Sequence, residues 1–275
     1  MNIIKFLEAF TSETLTTGTS SRRESFSQFG KFGKNMALAA IPFGLAAVSS
    51  KAFANDIGPT PATPVGALQF ALTLEYLENE FYAKGLASGV IPGGGRDEKV
   101  FRQIAKHEAS HVTFLINGLG GPGAANVPAK PTFDFTVGGA FDPFNENGIG
   151  ATTAYQQFLA LAQAFEDTGV RAYKGQAGNL ISEPQLLEYA LQIHSVEARH
   201  ASEVRRIRGL KGWITGIERG AGMPDATQAV YNGENVTLQA GFNTATQFGP
   251  GAGTEAYDEP LNTQQVVDIA NLFIV

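Results

Sequence analysis

From Thr63 to Gly209 apolar residues return at spacings of three and four in four separate runs, the period of a helix that buries one face. The first run carries Leu68, Leu72, Glu75, Asn79 and Tyr82 on one stripe. Thr63-Pro64 before it offers an N-cap hydroxyl followed by a proline at the first helical position, and Gly85 is the expected stop. The second run starts near Asp97, carries Phe101, Ile104, Glu108, His111, Val112 and Leu115, and stops at Asn117-Gly118. A third begins near Thr152 or Thr153, with Tyr155, Leu159, Ala162, Glu166, Gly169 and Tyr173 on its stripe and Gly175 and Gly178 closing it. In the fourth, Ser182, Pro184 and Gln185 read as a capping box. Leu186, Tyr189 or Ala190, Ile193 or His194, Glu197, His200 or Ala201, and Val204 then share a face up to Arg208-Gly209.

The connections set the architecture. Only a few residues separate the third and fourth helices, so the two are antiparallel neighbours. Between the second and third lies a Gly- and Pro-rich stretch from Gly118 to Gly150, studded with Phe133, Phe135, Phe141 and Phe144. A stretch of that length can travel from one end of a bundle to the other, held to it by the phenylalanines. The expected fold class is all-α: a four-helix bundle over 60–210, with a long crossover between helices 2 and 3. A C-terminal extension, 211–275, is expected to dock on the bundle. It carries a short strand near Val236–Ala240 and a last helix from Thr263, whose apolar face is Val266, Val267, Ala270, Phe273 and Ile274.

Charged residues break the apolar stripes in a repeated order. Glu75 is followed seven residues later by Tyr82, and Glu108-Ala109-Ser110-His111 comes next. Then Glu166 is followed seven residues later by Tyr173, and Glu197-Ala198-Arg199-His200 completes the second half. This is an internal repeat of a chemical constellation. Residues i and i+3 of a helix project from one face, so each Glu-x-x-His step can aim a carboxylate and an imidazole at one point. Four carboxylates in an apolar core need compensation, and two divalent ions balance their charge. The expected metal ligands are Glu75, Glu108, His111, Glu166, Glu197 and His200. Mixed carboxylate and imidazole donors suit two iron ions, or manganese. Glu78, three residues after Glu75, is the rival first-helix ligand; the shared interval to tyrosine favours Glu75. Tyr82 and Tyr173, the candidate catalytic residues, have three readings: hydrogen bonds to ligand carboxylates, electron relay, or core aromatics. Of the chain's four histidines, His194 reads either as an outer partner of the site or as a partly exposed helix residue. His107 points ~100° away from Glu108 on its helix and is left out of the site.

Composition removes several function classes. There is no cysteine in the 275 residues, hence no disulfide, thiolate metal site, iron–sulfur cluster or cysteine nucleophile. The net charge is -6 and no basic run suggests nucleic acid. Residues 1–54 have the order of an export signal: Ser21-Arg22-Arg23-Glu24-Ser25-Phe26 resembles a twin-arginine motif, a soft apolar segment spans Met36 to Ser50, and Ala52-Phe53-Ala54 offers a cleavage site. The expectation is an exported protein, periplasmic or extracellular, cut before Asn55. Without residues 1–54, 14 Lys/Arg face 23 Asp/Glu, a balance of -9. No membrane span is expected in that mature chain, which should be a monomer or small homo-oligomer.

At these residues the chain resembles the ferritin-like superfamily, whose pattern over four helices is Glu, Glu-x-x-His, Glu, Glu-x-x-His. Leu74-Glu75-Tyr76-Leu77-Glu78, Phe133-Asp134-Phe135, and Glu166-Asp167-Thr168-Gly169-Val170 followed by Tyr173 resemble more narrowly the exported ferritin-like domain group, which includes desiccation-related proteins. The resemblance covers roughly residues 60–275. It implies a dinuclear iron or manganese centre that oxidises ferrous iron or reduces dioxygen or peroxide, in stress protection. A dimanganese catalase and a non-enzymatic, metal-stabilised envelope or stress protein are the competing readings. The large crossover and tail depart from a hollow ferritin cage.

Overall fold

The computed structural model describes residues 56–275, so the expected export signal lies outside the described residues. Four long helices make the bundle: α1 (Pro64–Ser88), α2 (Arg96–Gly118), α3 (Ala151–Gln176) and α4 (Pro184–Ile207). Shorter elements follow: α5 (Gln228–Tyr231), α6 (Thr244–Phe248), α7 (Pro250–Thr254) and α8 (Thr263–Ala270). Two two-residue strands, β1 (Leu238–Gln239) and β2 (Phe242–Asn243), form an antiparallel pair between α5 and α6. The fold is all-α, as expected. No described helix is long and apolar enough to cross a membrane.

Local chemistry sets most helix ends. The Thr63 hydroxyl accepts from the Gly66 amide at 3.1 Å, and Pro64, which has no N–H to leave unsatisfied, takes the first turn of α1. The stop comes later than expected. α1 passes through Gly85 and ends at Gly89, whose φ of 76° suits the left-handed turn that glycine adopts freely. Gly85 has a packing role instead: a Cβ there would lie 2.3 Å from the Phe158 ring on α3. The expected capping box of α4 does not form. Pro184 fixes the first helical position, which makes Glu183 the cap, and Glu183 makes no side-chain cap bond. Gln185 bonds the Tyr189 hydroxyl at 3.2 Å instead. A capping box appears on α8, where Asn262 and Gln265 bond each other's backbone amides at 3.0 and 2.9 Å.

Side-chain contacts give the directions of the helices. Gly118 meets Leu68, Gly85 meets Phe158, Phe114 meets Tyr189, and Asp167 meets Arg205. The first three pairs join the end of one helix to the start of another, so α1 runs antiparallel to both α2 and α3, and α4 antiparallel to α2; since α2 and α3 then point the same way, α4 is antiparallel to α3 as well. The end of α2 and the start of α3 therefore lie at opposite ends of the bundle. The crossover covers that distance without helix of its own, and its four phenylalanines are buried. Phe81 on α1 is their hub: its ring stacks on Phe158 at 4.7 Å and meets Phe165 at 4.9 Å, Phe135 at 5.4 Å and Phe144 at 5.6 Å.

The extension docks through buried charge as well as through α8, whose Val266, Val267 and Ala270 are buried. The helix ends before Phe273 and Ile274, which were expected on its face and are buried beyond it, Ile274 in an antiparallel bridge to Phe133. Arg171 of α3, 1% exposed, donates to the carbonyls of Glu259 (2.7 Å), Asn232 (2.9 Å) and Val230 and pairs with Glu234 at 2.6 Å. Leu261 donates its amide to the Arg171 carbonyl, and its own carbonyl lies where a Cβ on Gly175 would be, 1.9 Å away. Gly175 is thus the crossing point of the tail over α3, which continues to Gln176. The strand expected over Val236–Ala240 is shorter, because Ala240 (φ 49°) and Gly241 (φ 85°) form the turn of the β1–β2 pair. Below this layer, Asp167 receives both Nε and Nη2 of Arg205, at 2.9 and 2.6 Å, and the Tyr231 hydroxyl at 2.8 Å.

Both members of the Asp167–Arg205 pair are nearly free of solvent. Removing one strands the other as an uncompensated buried charge. Asp167→Ala is expected to lower unfolding free energy by about 3–5 kcal/mol, read from urea denaturation of the metal-free protein. A loss below about 1 kcal/mol would place this pair with exposed ones.

Candidate metal centre

All six expected ligands meet in the middle of the bundle. α1 brings Glu75, α2 brings Glu108 and His111, α3 brings Glu166, and α4 brings Glu197 and His200. The four carboxylates are 0% exposed, and both histidines are buried. The side chains form two groups, each able to hold a metal ion, with donor atoms within 4.8 Å of one another. One is Glu75, Glu108, His111 and Glu197; the other is Glu108, Glu166, Glu197 and His200.

The shared residues divide their oxygens between the two groups. Glu108 places Oε2 3.1 Å from His111 Nδ1 and Oε1 2.9 Å from His200 Nδ1. Glu197 places Oε1 3.3 Å from His111 Nδ1 and Oε2 3.9 Å from His200 Nδ1. Glu75 serves only the first group, 3.2 Å from His111, and Glu166 only the second, 3.2 Å from His200. Two carboxylates shared between the groups and two confined to one group each are compatible with a dinuclear centre.

The tyrosines cross between the halves. Tyr173 on α3 donates to Glu75 Oε1 at 2.5 Å, and Tyr82 on α1 donates to Glu166 Oε1. Each fixes one oxygen of a terminal carboxylate and leaves the other, Oε2, facing the imidazole. Of their three readings, the hydrogen bond to a carboxylate is the one seen. Burial, then the carboxylate beside each, holds both phenols well above their ordinary pKa, so they remain donors.

Several donors are left without partners. Glu108 Oε1, Glu166 Oε2, both oxygens of Glu197 and His200 Nδ1 are buried and accept or donate no hydrogen bond. Native interiors rarely tolerate this, and a cluster of such atoms aimed at one another suits a site that could hold metal ions. In the metal-free protein protons fill part of the gap. Burial raises Glu75 to about 8, against the hydrogen bond from His111. Glu197 is also raised, by burial and by the charge of Glu108. Burial would raise Glu108 as well, but His111 and His200 hold it down at about 2. Burial disfavours charge on the imidazoles; their carboxylate neighbours override it, raising His111 and taking His200 to about 11.

Glu78 joins neither group. It is buried on α1, and burial followed by the charge of Glu197 raises its pKa well above normal. Its Oε1 and Glu197 Oε2 both approach Gly169, where a Cβ would meet them at 3.4 and 3.2 Å. His194 also joins neither group and lies half-buried against the Val170 backbone. His107 differs from expectation. Its direction away from Glu108 carries it toward α4, where its Nδ1 lies 2.8 Å from His200 Nε2 with the two rings stacked 5.1 Å apart. The sequence signal for it was slight: Gln103 and His107 share a helix face at i and i+4, and their side chains meet at 2.6 Å.

A family model described as a ferritin-like domain matches residues 63–210, more than half of the chain. No curated protein matches.

The retained protons set the pH response without metal. Glu75 keeps its proton in the folded state up to about 8, whereas the unfolded chain releases it near 4.5. The folded state binds more protons across that window, so stability falls as pH rises through it. His111 and His200 act in the same direction: their contribution is complete below 6.5 and is lost as pH rises toward their folded values. Glu108 is opposite, stabilising above 4.5 and failing as pH falls toward 2. Chelator-treated protein is therefore expected to melt at a higher temperature near pH ~5.5 than near pH ~8.5. Metal affinity should run the other way, because ligands bind deprotonated. A melting temperature that rises with pH in the chelated protein contradicts this account.

Proposed function

The chain belongs to the ferritin-like domain family, and from that premise we propose that it holds a dinuclear centre of iron or manganese and oxidises ferrous iron or reduces dioxygen or peroxide in stress protection. The observation that carries the reading is the division of Glu108 and Glu197 between two donor groups, one oxygen of each turned to either imidazole. Glu75, Glu108, His111, Glu166, Glu197 and His200 are the proposed ligands. Two redox-active ions held there would supply one electron each, which with two protons would reduce one peroxide to two waters.

The chain's own residues prepare that chemistry. Four carboxylates match the charge of two divalent ions and favour the more highly charged oxidised state. Tyr82 and Tyr173 hold the terminal carboxylates in place, so the free oxygens need no reorganisation. Both tyrosines also lie within hydrogen-bonding reach of ligands and are placed to pass an electron or a proton at their hydroxyls. Phe101 and Phe158, both buried, pack against Tyr82 and help to keep bulk water from its hydroxyl.

Elemental analysis of the purified protein tests the site. Two ions per chain are expected, and Glu108→Ala or Glu197→Ala should each lose at least one and melt at a lower temperature, since each removes a ligand from both groups. Unchanged stoichiometry in both variants rejects the assignment. Stopped-flow absorbance after anaerobic iron loading tests the activity: bound ferrous iron should oxidise faster than iron in buffer. Oxygen release from peroxide by manganese-loaded protein would instead identify a catalase. If neither reaction occurs in metal-loaded protein, the metal is structural.

Export is the second part of the proposal. Arg22-Arg23, the apolar segment up to Ser50 and Ala52-Phe53-Ala54 support cleavage after Ala54 and a periplasmic or extracellular location. N-terminal sequencing of exported protein should begin at Asn55. The double change Arg22→Lys, Arg23→Lys should retain the precursor in the cytoplasm; normal export of that variant would point to the general secretory route.

A further inference from the structure

We propose that His107 is a positioning residue that fixes His200 for metal binding and makes the two halves of the centre unequal, the tighter ion lying in the group of Glu108, Glu166, Glu197 and His200. The inference rests on the dinuclear reading above. His200 points Nδ1 at Glu108 and Glu166 and Nε2 at His107. A neutral imidazole that offers Nδ1 to a cation must carry its proton on Nε2. His107 Nδ1, 2.8 Å away, is the acceptor for that proton. His107 must then carry its own proton on Nε2; the Gln103 atom 2.6 Å from it is the amide nitrogen Nε2, so the Gln103 amide has to turn over and present its oxygen to that proton. With that amide turned, every group from the buried centre to the exposed Gln103 has one role as donor or acceptor. An outer hydrogen bond of this kind selects the tautomer, orients the ring and raises the basicity of the ligand nitrogen.

The other half has no counterpart. His107 directly precedes Glu108, whereas Val196 directly precedes Glu197 at the matching place of the repeat. The hydrogen bonds and ion pairs of His111 all run through Nδ1, to Glu75, Glu108 and Glu197. Among the described residues nothing selects its tautomer from outside. The repeat therefore gives two similar ligand sets, and His107 distinguishes them. The competing role for His107 is packing alone, since its ring lies within 13° of parallel to that of His200. Phenylalanine would preserve the stacking and lose the acceptor, whereas glutamine would restore an acceptor without the ring.

Cobalt(II) titration of the full chain separates these cases. Glu75→Gln removes the terminal ligand of the His111 group and leaves the His200 group to be measured alone; Glu166→Gln does the reverse. In the Glu75→Gln background, His107→Phe is expected to weaken cobalt affinity by roughly 10–100-fold, and His107→Gln to recover most of it. In the Glu166→Gln background, His107→Phe should leave affinity unchanged. Equal weakening in both backgrounds, no weakening in either, or a His107→Gln variant as weak as His107→Phe overturns the inference. A comparison without any change at His107 stands even if those variants do not fold. Glu75→Gln protein should bind cobalt more tightly than Glu166→Gln protein, and the opposite order also overturns the inference. If the unaltered chain binds two cobalt ions while these tests fail, only the role of His107 is lost. If it binds none, the dinuclear reading itself falls.

Discussion

Burying carboxylates is the constraint on which the rest of this protein depends. Glu75, Glu78, Glu108, Glu166 and Glu197 share one apolar core, and each ionised carboxylate taken from water costs several kcal/mol. The neighbouring residue Asp167 shows what a purely structural solution looks like. It follows Glu166 directly in sequence, faces the other way, and has both oxygens bonded by Arg205 and one also by Tyr231. Among the described residues no Lys or Arg forms an ion pair with the inner five. Their compensation comes from two imidazoles, two tyrosine hydroxyls and retained protons, and it leaves five inner atoms without a hydrogen bond. Two buried acidic clusters in one bundle, one fully paired by the protein and one incompletely paired, have different purposes. The second could hold metal ions, which would supply the charge that the chain does not.

The internal repeat explains how a single chain builds such a centre. A seven-residue interval is two helical turns, so Tyr82 lies two turns beyond Glu75 on the same face, and Tyr173 likewise beyond Glu166. Because α1 and α3 run antiparallel, each tyrosine arrives opposite the other helix's glutamate, and the two hydrogen bonds cross. The same antiparallel relation between α2 and α4 places the two Glu-x-x-His steps face to face. Antiparallel pairing on both sides demands that α2 and α3 point the same way, and only a connection spanning the bundle permits that. The long crossover is thus a geometric requirement of the site, and the phenylalanine cluster around Phe81 is what makes so long a segment without helix stable.

The parts of this arrangement visible in the sequence are those that depend on spacing within one helix. Glu108 with His111, Glu197 with His200, and the Glu-to-Tyr intervals are all local periodicities, and the bundle follows from the stripes that contain them. What spacing does not reveal is a partner on another helix. His107 looks irrelevant because its direction is judged against Glu108, yet its partner is on α4. Gly85 looks like a stop because glycine ends many helices; only the ring of Phe158 shows that it is a site of close packing. Arg171 binds three backbone carbonyls of the tail, and a carbonyl carries no residue-type signature. The helices of the extension up to Thr254 run to five residues at most, too short for a stripe to repeat.

The extension bears on the centre through α3. That helix carries Glu166 and Tyr173, one a terminal carboxylate and the other the support of the opposite terminal carboxylate. Between and beside them the tail takes hold at Asp167, Arg171 and Gly175, all on the side of α3 turned away from the six proposed ligands. A slip of α3 along its axis would have to break the carbonyl contacts of Arg171 and push Gly175 into Leu261, as well as parting Tyr173 from Glu75. Ligand geometry within about half an ångström is what a metal site needs, and it is held only where the supporting residues are themselves locked. The tail locks α3 from behind, while the crossover phenylalanines lock α1 against α3 through Phe81, Phe158 and Phe165. The two segments that lie outside the four-helix pattern therefore fix the two helices that contribute only one carboxylate each. α2 and α4 each carry two donors on one rigid turn and need less help to aim them.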